Sequence, residues 1–361
     1  MSKYKICAYA ICKNEEKFVD RFMDSLKEAD AVYVLDTGST DNTVEKLRKR
    51  GAIVKEEIIT PWRFDVARNK SLELVPEDTD ICICMDLDEV IREGWREELE
   101  KIWQPNTNHL SYNYNWSFDE YGNPATNFYI EKIHDRHNYI WKHPVHEVVC
   151  YKGVKPENKI TTQNITVDHF PDLTKSRGQY LDLLELSVEE EPNDDRNVHY
   201  LGREYMYYKR WNKCIDTLIK HLSLKTATWK DERCASMRYI AKSYQNLNRK
   251  EEANMWYQKA IEEAPYLREP YLDYAIFEYG QNNFEHCYEL LIKALEIKER
   301  GKTYINENYC WDGTLEDLLS ISLYHLGKYE ESIKYLNEAI EKQPNNERLK
   351  NNKKIIENEI Q

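Results

Sequence analysis

Short apolar runs alternate with segments of helical periodicity over the first part of the chain. The predicted order is strand 4–11, helix 14–29, strand 31–35, helix 40–50, strand 52–54, helix 64–74 and strand 81–84. Alternating strands and helices are typical of a largely parallel sheet whose strands are joined by right-handed crossovers. We therefore predict an α/β domain at the amino-terminal end of the chain.

From about Asp195 onward the periodicity is helical throughout, and small residues recur at a fixed interval. They precede Pro265 and Pro344 by 24, 12 and 5 positions, and an intervening copy lies 34 residues after the first. The small residues are Ala241, Ala253 and Ala260, then Ala275, Cys287 and Ala294, then Ser320, Ser332 and Ala339, with a weaker early copy at Gly202 and Cys214. This pattern resembles about four tetratricopeptide repeats, which stack into an all-α solenoid. An ordinary helical bundle is the alternative.

The junction between the two patterns is a polar, proline-containing stretch at residues 189–195, preceded by a segment of helical periodicity. A composition shift of this kind is typical of a domain boundary. We therefore predict an α/β domain over residues 1–172, a linker helix within 173–194 and the repeats over 195–361.

Composition narrows the class of protein. The 361 residues suffice for two domains, and a net charge of −13 without a basic stripe argues against a nucleic-acid polymer as partner. The nine cysteines lack the paired spacing of a zinc framework, and no apolar run is long enough to cross a bilayer. We therefore expect a cytoplasmic protein with free thiols and without stable membrane insertion.

Candidate chemistry begins with Asp86 and Asp88, which follow the apolar run 81–84 and are separated by one residue. Two carboxylates at the end of a buried strand are costly unless a cation neutralises them. Mg²⁺ or Mn²⁺ bound by few carboxylates normally shares its coordination with substrate phosphates. The alternative is that the pair caps the following helix or lies in water.

A second acidic strand end is Asp36, followed by Gly38 and a run of hydroxyl and amide side chains. Because the carboxyl ends of parallel strands meet at one edge of a sheet, Asp36 and Asp86 are expected to lie at the same edge. Asp36 can accept hydrogen bonds from a base or ribose, and Gly38 allows close backbone approach. A turn and helix cap is the alternative. Neither a dinucleotide-binding glycine motif nor a P-loop occurs.

The order of these motifs resembles the family 2 glycosyltransferases of GT-A fold. The matching pieces are Lys13-Asn14-Glu15, residues 36–43, residues 62–69, Asp86-Leu87-Asp88 and Val145-His146-Glu147. The resemblance covers roughly residues 4 to 170 and is specific as an ordered set. It implies a Rossmann-like domain with a mostly parallel sheet, a UDP-sugar donor, Mn²⁺ or Mg²⁺, and inversion at the anomeric carbon.

Carried over by position, the resemblance implies a role for each matching residue. The nucleotide-sugar set comprises Ala8, Ile11 and Glu15 in the nucleotide pocket, Asp36 on the uracil or ribose, Ser39, Arg68 near the diphosphate, Asp86 on the ribose and sugar, and Leu87. Glu15 as a helix cap and Arg68 as an ion-pair partner of Asp65 are the alternatives.

An inverting transfer also needs a base that takes the acceptor's proton. Glu147 is the candidate, with Asp135 and Glu89 as rivals, and a salt-bridged loop glutamate is the alternative reading of Glu147. Pro144 stands where the family commonly has glycine, just before Val145-His146-Glu147.

The resemblance implies that Asp88 ligates the metal directly. His169 ends a later apolar strand and could complete the metal shell as a neutral imidazole, although a buried histidine is an equal alternative. His146 is a weaker candidate for the same task. The acidic residue that often precedes the Asp-x-Asp motif is replaced by Met85.

Tyr112, Tyr114, Trp116 and Phe118 alternate through a strand-like segment, so a spacing of two places them on one face. Such a stripe either packs in the core or forms a wall for a sugar or an acceptor.

The repeats bear on the acceptor, because stacked helical hairpins form a groove suited to extended peptides. Bacterial proteins that join a family 2 domain to such repeats resemble peptide- and protein-glycosylating enzymes, including those that modify Cys or Ser of bacteriocins. The resemblance implies transfer of a hexose, glucose or N-acetylglucosamine, from a UDP-sugar to Ser, Thr or Cys of a peptide or protein. The alternatives are a lipopolysaccharide-core or other surface-glycan acceptor, and an inactive scaffold that binds partner proteins. The repeats also suit self-association as a homodimer.

Overall fold

A computed structural model of the chain describes residues 3–172, 174 and 178–360. The chain divides into two compact units, Met1–Ser187 and Val188–Gln361. The predicted linker falls partly on residues 173 and 175–177, which lie outside the described residues. A helix, α5, follows at Tyr180–Glu190.

The first unit combines ten strands and four helices before α5 among its described residues. The strands are β1 Ile6–Cys12, β2 Ala31–Asp36, β3 Ile53–Glu56, β4 Ile81–Cys84, β5 Glu89–Ile91, β6 His109–Phe118, β7 Pro124–Asp135, β8 Tyr139–Lys142, β9 Val148–Tyr151 and β10 Lys159–His169. The helices are α1 Val19–Ser25, α2 Thr43–Lys49, α3 Phe64–Glu73 and α4 Trp95–Ile102. The α/β class predicted for this part of the chain is confirmed.

Eight strands form one sheet in the order β3-β2-β1-β4-β7-β6-β10-β5, and β8 and β9 pair separately as an antiparallel hairpin. The strands from β3 to β4 are parallel, as the alternation of strands and helices predicts. Beyond β4 the sheet is mixed, because β7 runs antiparallel to both β4 and β6, and β5 runs antiparallel to β10. β10 nevertheless runs parallel to β6, so four of the seven pairings in this sheet are parallel, as the mostly parallel sheet predicted from the sequence requires.

The central strand β1 explains why the parallel half forms. Residues 6–10 of β1 are completely buried, as expected for a strand that is covered on both faces of a parallel sheet. The register pairs Cys12 with Asp36 on β2 and Tyr9 with Cys84 on β4. The end of β1 therefore lies level with Asp36, the last residue of β2, and near Asp86, which follows β4. We call this edge of the sheet the carboxyl edge.

Two helices at this edge are shorter than predicted. The helix predicted from Asn14 begins at Val19, and the one predicted from Thr40 begins at Thr43. Asn14 adopts a left-handed backbone conformation with φ of 55°, and its side-chain oxygen accepts a hydrogen bond from the Thr40 amide. The polar residues that periodicity assigned to the first turn of each helix instead join two loops to each other.

The second unit consists of helices that follow one another in pairs. They are α6 Asp195–Tyr207 with α7 Trp211–Ser223, α8 Lys230–Asn246 with α9 Lys250–Glu263, α10 Glu269–Gly280 with α11 Phe284–Glu296, α12 Thr314–His325 with α13 Tyr329–Lys342, and a final α14 Glu347–Ile360. This order is the all-α solenoid predicted from the 34-residue period. No helix in the described part of the chain is long and apolar enough to span a membrane.

The small residues of the period lie where the helices cross. All nine members of the three clear copies are completely buried, as is Cys214 of the early copy. At Gly202 on α6, a Cβ atom would lie 2.3 Å from the nearest methyl carbon of Leu218 on α7. Small side chains are therefore needed because the helices approach closely at these positions.

Candidate active site at the carboxyl edge of the sheet

The loops after β1 and β2 are joined around Asp36. Its two carboxylate oxygens accept hydrogen bonds from the Ser39 hydroxyl and from the amides of Gly38 and Ser39, at 3.0 and 2.9 Å for the amides. The Ser39 hydroxyl in turn accepts from the Asn14 amide at 2.8 Å. Gly38 has φ of +109°, which favours glycine. Asp36 therefore holds the shape of this loop in addition to ending its strand.

Asp86 is held between two cations. One carboxylate oxygen accepts from Nη2 of Arg68 on α3, and the other accepts from Nζ of Lys132 on β7 at 2.9 Å. The Asp86 side chain is about one-third exposed, whereas that of Arg68 is almost completely buried. The acidic strand end is thus neutralised within the protein by side chains from a helix and an antiparallel strand.

Arg68 also reaches Glu147, whose carboxylate oxygen accepts from Arg68 Nε at 3.1 Å. Glu147 lies in the loop between β8 and β9, and this hairpin is fastened to α3. The Asn69 side chain bonds both the amide and the carbonyl of Trp141 at 2.9 Å, and the Phe64 amide donates to the Pro144 carbonyl. One guanidinium therefore connects two carboxylates that lie 61 positions apart in the chain.

The loop that carries Glu147 has an unusual backbone. His143 and His146, on either side of Pro144, both have positive φ, at 77° and 51°. Left-handed conformations of residues other than glycine are uncommon and are concentrated at functional sites. With this backbone, Glu147 contacts Arg68 at the carboxyl edge although proline occupies position 144, where the family commonly has glycine.

Sequence reasoning did not identify Lys132. Its Nζ donates to Asp86 and also to Glu89 at 2.9 Å, and Glu89 accepts from the Tyr114 hydroxyl at 2.7 Å. Glu89 is 1% exposed, so these partners offset the cost of burying its carboxyl group. The only signal in the sequence is a lysine on a strand face that also carries Ile130 and His134, and that signal is weak.

The ion pairs shift the ionisation of this cluster. Burial alone would raise the pKa of Asp86, but the charges of Arg68 and Lys132 outweigh it and hold that pKa well below its usual range. Burial alone would lower the pKa values of Arg68 and Lys132, and the neighbouring carboxylates raise both well above their usual values. Asp86, Arg68 and Lys132 are therefore all ionised at neutral pH.

Asp88 lies beside His169, with 3.5 Å between Oδ2 of the aspartate and Nε2 of the histidine. The antiparallel register of β5 with β10 pairs Glu89 with His169 and so brings the two together. His169 Nδ1 donates a hydrogen bond to the Trp116 carbonyl at 3.0 Å. In the neutral ring the proton is then on Nδ1, and Nε2 carries the lone pair that can bind a metal. A carboxylate oxygen and an imidazole nitrogen facing the same space fit a Mn²⁺ or Mg²⁺ site.

Asp88 also changes the pKa of His169. Burial would lower the pKa of His169, but the hydrogen bond and charge of Asp88 raise it above its ordinary value. The space beside Asp88 therefore favours a positive charge.

The aromatic residues that alternate along β6 differ in exposure. Tyr112 and Tyr114 are buried in the core, whereas Trp116 is 47% exposed and stacks on the His169 ring at 4.5 Å between centroids. Phe118 stacks on Phe170 at 5.3 Å. Core packing therefore accounts for the first two rings, and Trp116 offers an exposed aromatic face next to Asp88 and His169.

The remaining residues of the nucleotide-sugar set lie at different depths. Ile11 and Glu15 are half-buried and lie at or just beyond the end of β1. Ala8 lies three residues before Ile11, about 10 Å deeper at ~3.3 Å per residue, and is completely buried in the core. The Leu87 side chain also packs in the core. The structure thus brings Ile11 and Glu15 to the edge with Asp36, Ser39, Arg68 and Asp86, but not the side chains of Ala8 and Leu87.

The structure does not bring Asp135 to this site. Asp135 pairs with Ile81 at the start of β4, whereas Asp86 follows the end of that strand. Five residues separate these levels, roughly 16 Å at ~3.3 Å per residue. Its carboxylate accepts from Asn108 and from the amides of His137 and Asn138. Antiparallel pairing of β7 with β4 therefore places Asp135 at the opposite edge of the sheet, too far from Asp86 to act as the base.

Comparisons with known proteins identify the two kinds of element. Residues 8–151 match the family model for glycosyl transferase family 2. Residues 240–266 and 317–346 each match a model for the tetratricopeptide repeat. A search of curated proteins returned no match.

Three solved structures that resemble part of the chain are each less than 20% identical to it. The crystal structure of MamA is 18% identical, covers 48% of this chain and 96% of its own, and has a TM-score of 0.38. That of YrrB, described as a TPR protein with an unusual peptide-binding site, is 12% identical, covers 49% and 83%, and has a TM-score of 0.37. Yeast Tom70 is 13% identical, with coverage of 47% and 33% and a TM-score of 0.37.

The family model spans the motifs after β1, β2 and β4 and the loop that carries Glu147, and the repeat models fall in the helical part. The resemblance inferred from the ordered motifs is thereby confirmed. The chain therefore carries a family 2 glycosyltransferase domain, at residues 8–151, followed by tetratricopeptide repeats.

Proposed function

We propose that the enzyme transfers a hexose from a UDP-sugar to a Ser, Thr or Cys side chain of a peptide or protein, with inversion at the anomeric carbon. The proposal that the enzyme uses a UDP-sugar donor rests on two groups of side chains that lie next to each other at the carboxyl edge. One is the ion-paired set of Asp86, Arg68 and Glu147, and the other is the Asp88–His169 pair.

Asp88 and His169 would hold Mn²⁺ or Mg²⁺ in this proposal. A divalent cation held there would supply Lewis-acid stabilisation of the departing diphosphate. The hydrogen bond from His169 Nδ1 to the Trp116 carbonyl supports this role, since a second partner of this kind fixes the ring orientation of a metal-ligating histidine.

Glu147 is the proposed base. It would take the proton from the acceptor hydroxyl or thiol while the acceptor oxygen or sulfur bonds to the anomeric carbon, and the bond from that carbon to the UDP oxygen breaks. The Arg68 hydrogen bond supports the assignment because it holds the Glu147 carboxylate in one orientation.

Arg68 is better suited to positioning than to diphosphate binding. Its three nitrogens face Glu147, Asp86 and the Cys84 sulfur, and its side chain is 4% exposed. We therefore propose that Arg68 fixes the relative placement of Asp86, which would contact the donor ribose and sugar, and of Glu147, which would receive the acceptor proton.

The donor proposal is tested by titration calorimetry of the full chain with a panel of UDP-sugars. We expect one sugar nucleotide to bind with Mn²⁺, binding to be lost with EDTA, and Asp88→Ala to abolish it. Asp78→Ala is a matched control, because Asp78 is an exposed partner of Lys5 away from this edge. Equal binding by the Asp88→Ala protein, or binding of no sugar nucleotide by a folded chain, would refute the donor assignment.

The roles of Glu147 and Arg68 are tested by the kinetics of UDP release. We expect Glu147→Gln to lower kcat with little change in the donor dissociation constant. Arg68→Lys should lower kcat by roughly 10²-fold, as misplacement of reacting groups by about 1 Å does. Arg63→Lys, in an ion pair with Asp65 at the start of the same helix, is the control for Arg68. A Glu147→Gln protein with full kcat would exclude Glu147 as the base.

The acceptor half rests on the repeats and is tested separately. A donor identified by calorimetry is incubated with the enzyme and with unstructured peptides that contain Ser, Thr or Cys, and hexose addition is read by mass spectrometry. Addition to a side chain supports the proposal. Transfer to lipopolysaccharide core or another surface glycan, with none to peptides, would assign the alternative acceptor class.

A further inference from the structure

The hairpins α10–α11 and α12–α13 are separated by residues 297–313, which we call the strap. The strap is longer than the turns that join the other hairpins, and it contains a short 3₁₀ turn at Asn308–Cys310. Ile305 and Cys310 are 4% and 0% exposed. The strap is therefore an ordered part of the second unit that the 34-residue period does not explain.

Two tyrosines of the strap contact the first helices of three successive hairpins. The Tyr304 ring stacks on Tyr200 of α6 at 5.9 Å between centroids, and its hydroxyl donates to Glu232 of α8. The Tyr309 hydroxyl accepts from Arg238 Nη2 of α8 at 2.9 Å and donates to Asp273 of α10 at 2.6 Å. The strap thus crosses α6, α8 and α10 on one side of the solenoid.

The main chain of the strap is bound as well as its side chains. The Glu307 amide donates to the Glu269 carboxylate of α10 at 2.9 Å, and Arg268 Nη1 donates to the Cys310 carbonyl at 3.1 Å. Arg268 also lies over the Trp311 ring at 3.7 Å. An extended segment held by its backbone groups and by two aromatic side chains has the binding mode of a peptide ligand in a helical groove.

Some buried polar atoms where the strap contacts the helices have no hydrogen-bond partner among the described residues. Arg238 is fully buried, and its Nη1 atom has no hydrogen-bond partner among the residues that the structure describes. The same holds, within the described part of the chain, for Oε2 of Glu269 and Nε1 of Trp311. Buried polar atoms without partners are rare in proteins and cost free energy. The strap is therefore an imperfect occupant of the surface formed by α6, α8 and α10.

We propose that this surface is a binding site for an extended peptide that carries two tyrosines, and that such a partner binds by displacing the strap. The recognised chemistry is a tyrosine hydroxyl between Arg238 and Asp273, with a second aromatic ring on Tyr200. A carbonyl or carboxylate oxygen of the partner next to the tyrosine would also pair with Arg238 Nη1. The proposal concerns the repeats alone and does not depend on the donor or acceptor assigned to the transferase domain.

The first test is amide hydrogen exchange of the unaltered full chain, read by mass spectrometry. A displaceable strap opens without the helices, so the amides of residues 303–311 should exchange at least tenfold faster than those in the centres of α8 and α10. Exchange of the strap at the same rate as these helices would make it an integral part of the core and would overturn the proposal.

The second test uses a synthetic peptide of residues 302–312 with serine at the position of Cys310. It should bind at least tenfold more tightly to the Tyr304→Ala/Tyr309→Ala chain than to the unaltered chain, because the variant's own strap no longer competes. A peptide with alanine at both tyrosine positions should not bind. Tyr335→Ala, on α13, is the matched control and should behave like the unaltered chain.

Failure of the peptide to bind a double variant that retains its helical circular dichroism would overturn the proposal. If the double variant loses its helical signal, the strap is required for folding, and that result also counts against displacement. Tyr309→Phe removes only the hydroxyl and tests the same contact with less disturbance. It should accelerate exchange at residues 303–311 and leave α8 unchanged.

Discussion

At the scale of single residues, the candidate site depends on charges that are paired inside the protein. Asp86, Arg68, Lys132 and Glu89 form a chain of contacts in which each charge has an opposite partner. Replacing one of these side chains leaves an opposite charge buried without its partner. The resulting loss of folding free energy is larger than the net stabilisation that the ion pair provides. The consequences are measurable at single positions.

Lys132→Met should destabilise the protein by about 3 kcal/mol, in the range found when a buried ion pair loses one partner. The reason is that Glu89, at 1% exposure, keeps the Tyr114 hydroxyl but loses the ammonium group. Urea unfolding of the first unit measures the change. Lys159→Met is the control, since the exposed Lys159 pairs with the partly exposed Glu131, and its loss should change stability by less than about 1 kcal/mol.

His134 makes the stability of the protein depend on pH. It is fully buried between the Tyr9 hydroxyl and the Asp135 carbonyl, each at 2.7 Å, and burial lowers its pKa from 6.5 to about 4. Because the unfolded chain binds this proton more readily, the contribution is complete above pH 6.5 and is lost as the pH falls towards 4. The loss amounts to about 3 kcal/mol at 1.36 kcal/mol per pKa unit.

The measurement is the free energy of unfolding at pH 7, 5.5 and 4.5 for the unaltered chain and for His134→Asn. Carboxylates also titrate at the acid end, so the difference between the two proteins is the quantity that reports on His134. We expect the difference to shrink as the pH falls. A difference that does not change with pH would contradict a neutral buried His134.

At the scale of elements, the helical hairpins are governed by the small residues at their crossings. These positions were recognised from the 34-residue period because the packing requirement repeats whenever the hairpin repeats. The helix starts after β1 and β2 were placed too early, since Asn14 and the residues of the Asp36 loop bond across two loops. Periodicity carries no information on such contacts between distant segments.

Ala260→Leu should destabilise the repeats by about 1–3 kcal/mol, because Ala260 is completely buried and added methylene groups overpack the crossing. Lys259→Leu, at the exposed neighbouring position on α9, is the matched control and should have little effect. Thermal unfolding followed by circular dichroism distinguishes them. Equal stability of the two variants would mean that the crossing has room that the close packing of α9 does not suggest.

At the scale of the whole molecule, the nine cysteines are free thiols, and eight of them are buried. Burial raises the pKa of these thiols, for example to about 11 for Cys84 and Cys214, so they react slowly in the native state. Cys150 is the half-buried exception. The composition predicted free thiols, and the structure adds which one is accessible.

A thiol-reactive chromogenic disulfide should therefore modify one thiol rapidly in the native protein and nine after denaturation. Cys150→Ser should abolish the rapid phase and leave the slow reaction of the remaining eight unchanged. Several rapid thiols in the native Cys150→Ser protein would contradict the burial of the other cysteines.

Some features were determined by the sequence itself because their cause is local or periodic. Alternating apolar runs specified the α/β class, the 34-residue spacing specified the repeats, and the order of the motifs at Asp36, Asp86 and Glu147 indicated the glycosyltransferase family. Each signal lies within a short window or repeats at a constant interval, so it can be read without knowing which segments meet.

Other features were decided only by the tertiary structure, because they depend on pairing between distant strands. The antiparallel insertion of β7 beside β4 brings Lys132 to Asp86 and carries Asp135 to the opposite edge. The register of β5 with β10 brings His169 to Asp88. The strap lies against α6, α8 and α10 through contacts that no period predicts. Charge pairing across such separations follows from the fold, since strand register, not sequence distance, determines which side chains meet.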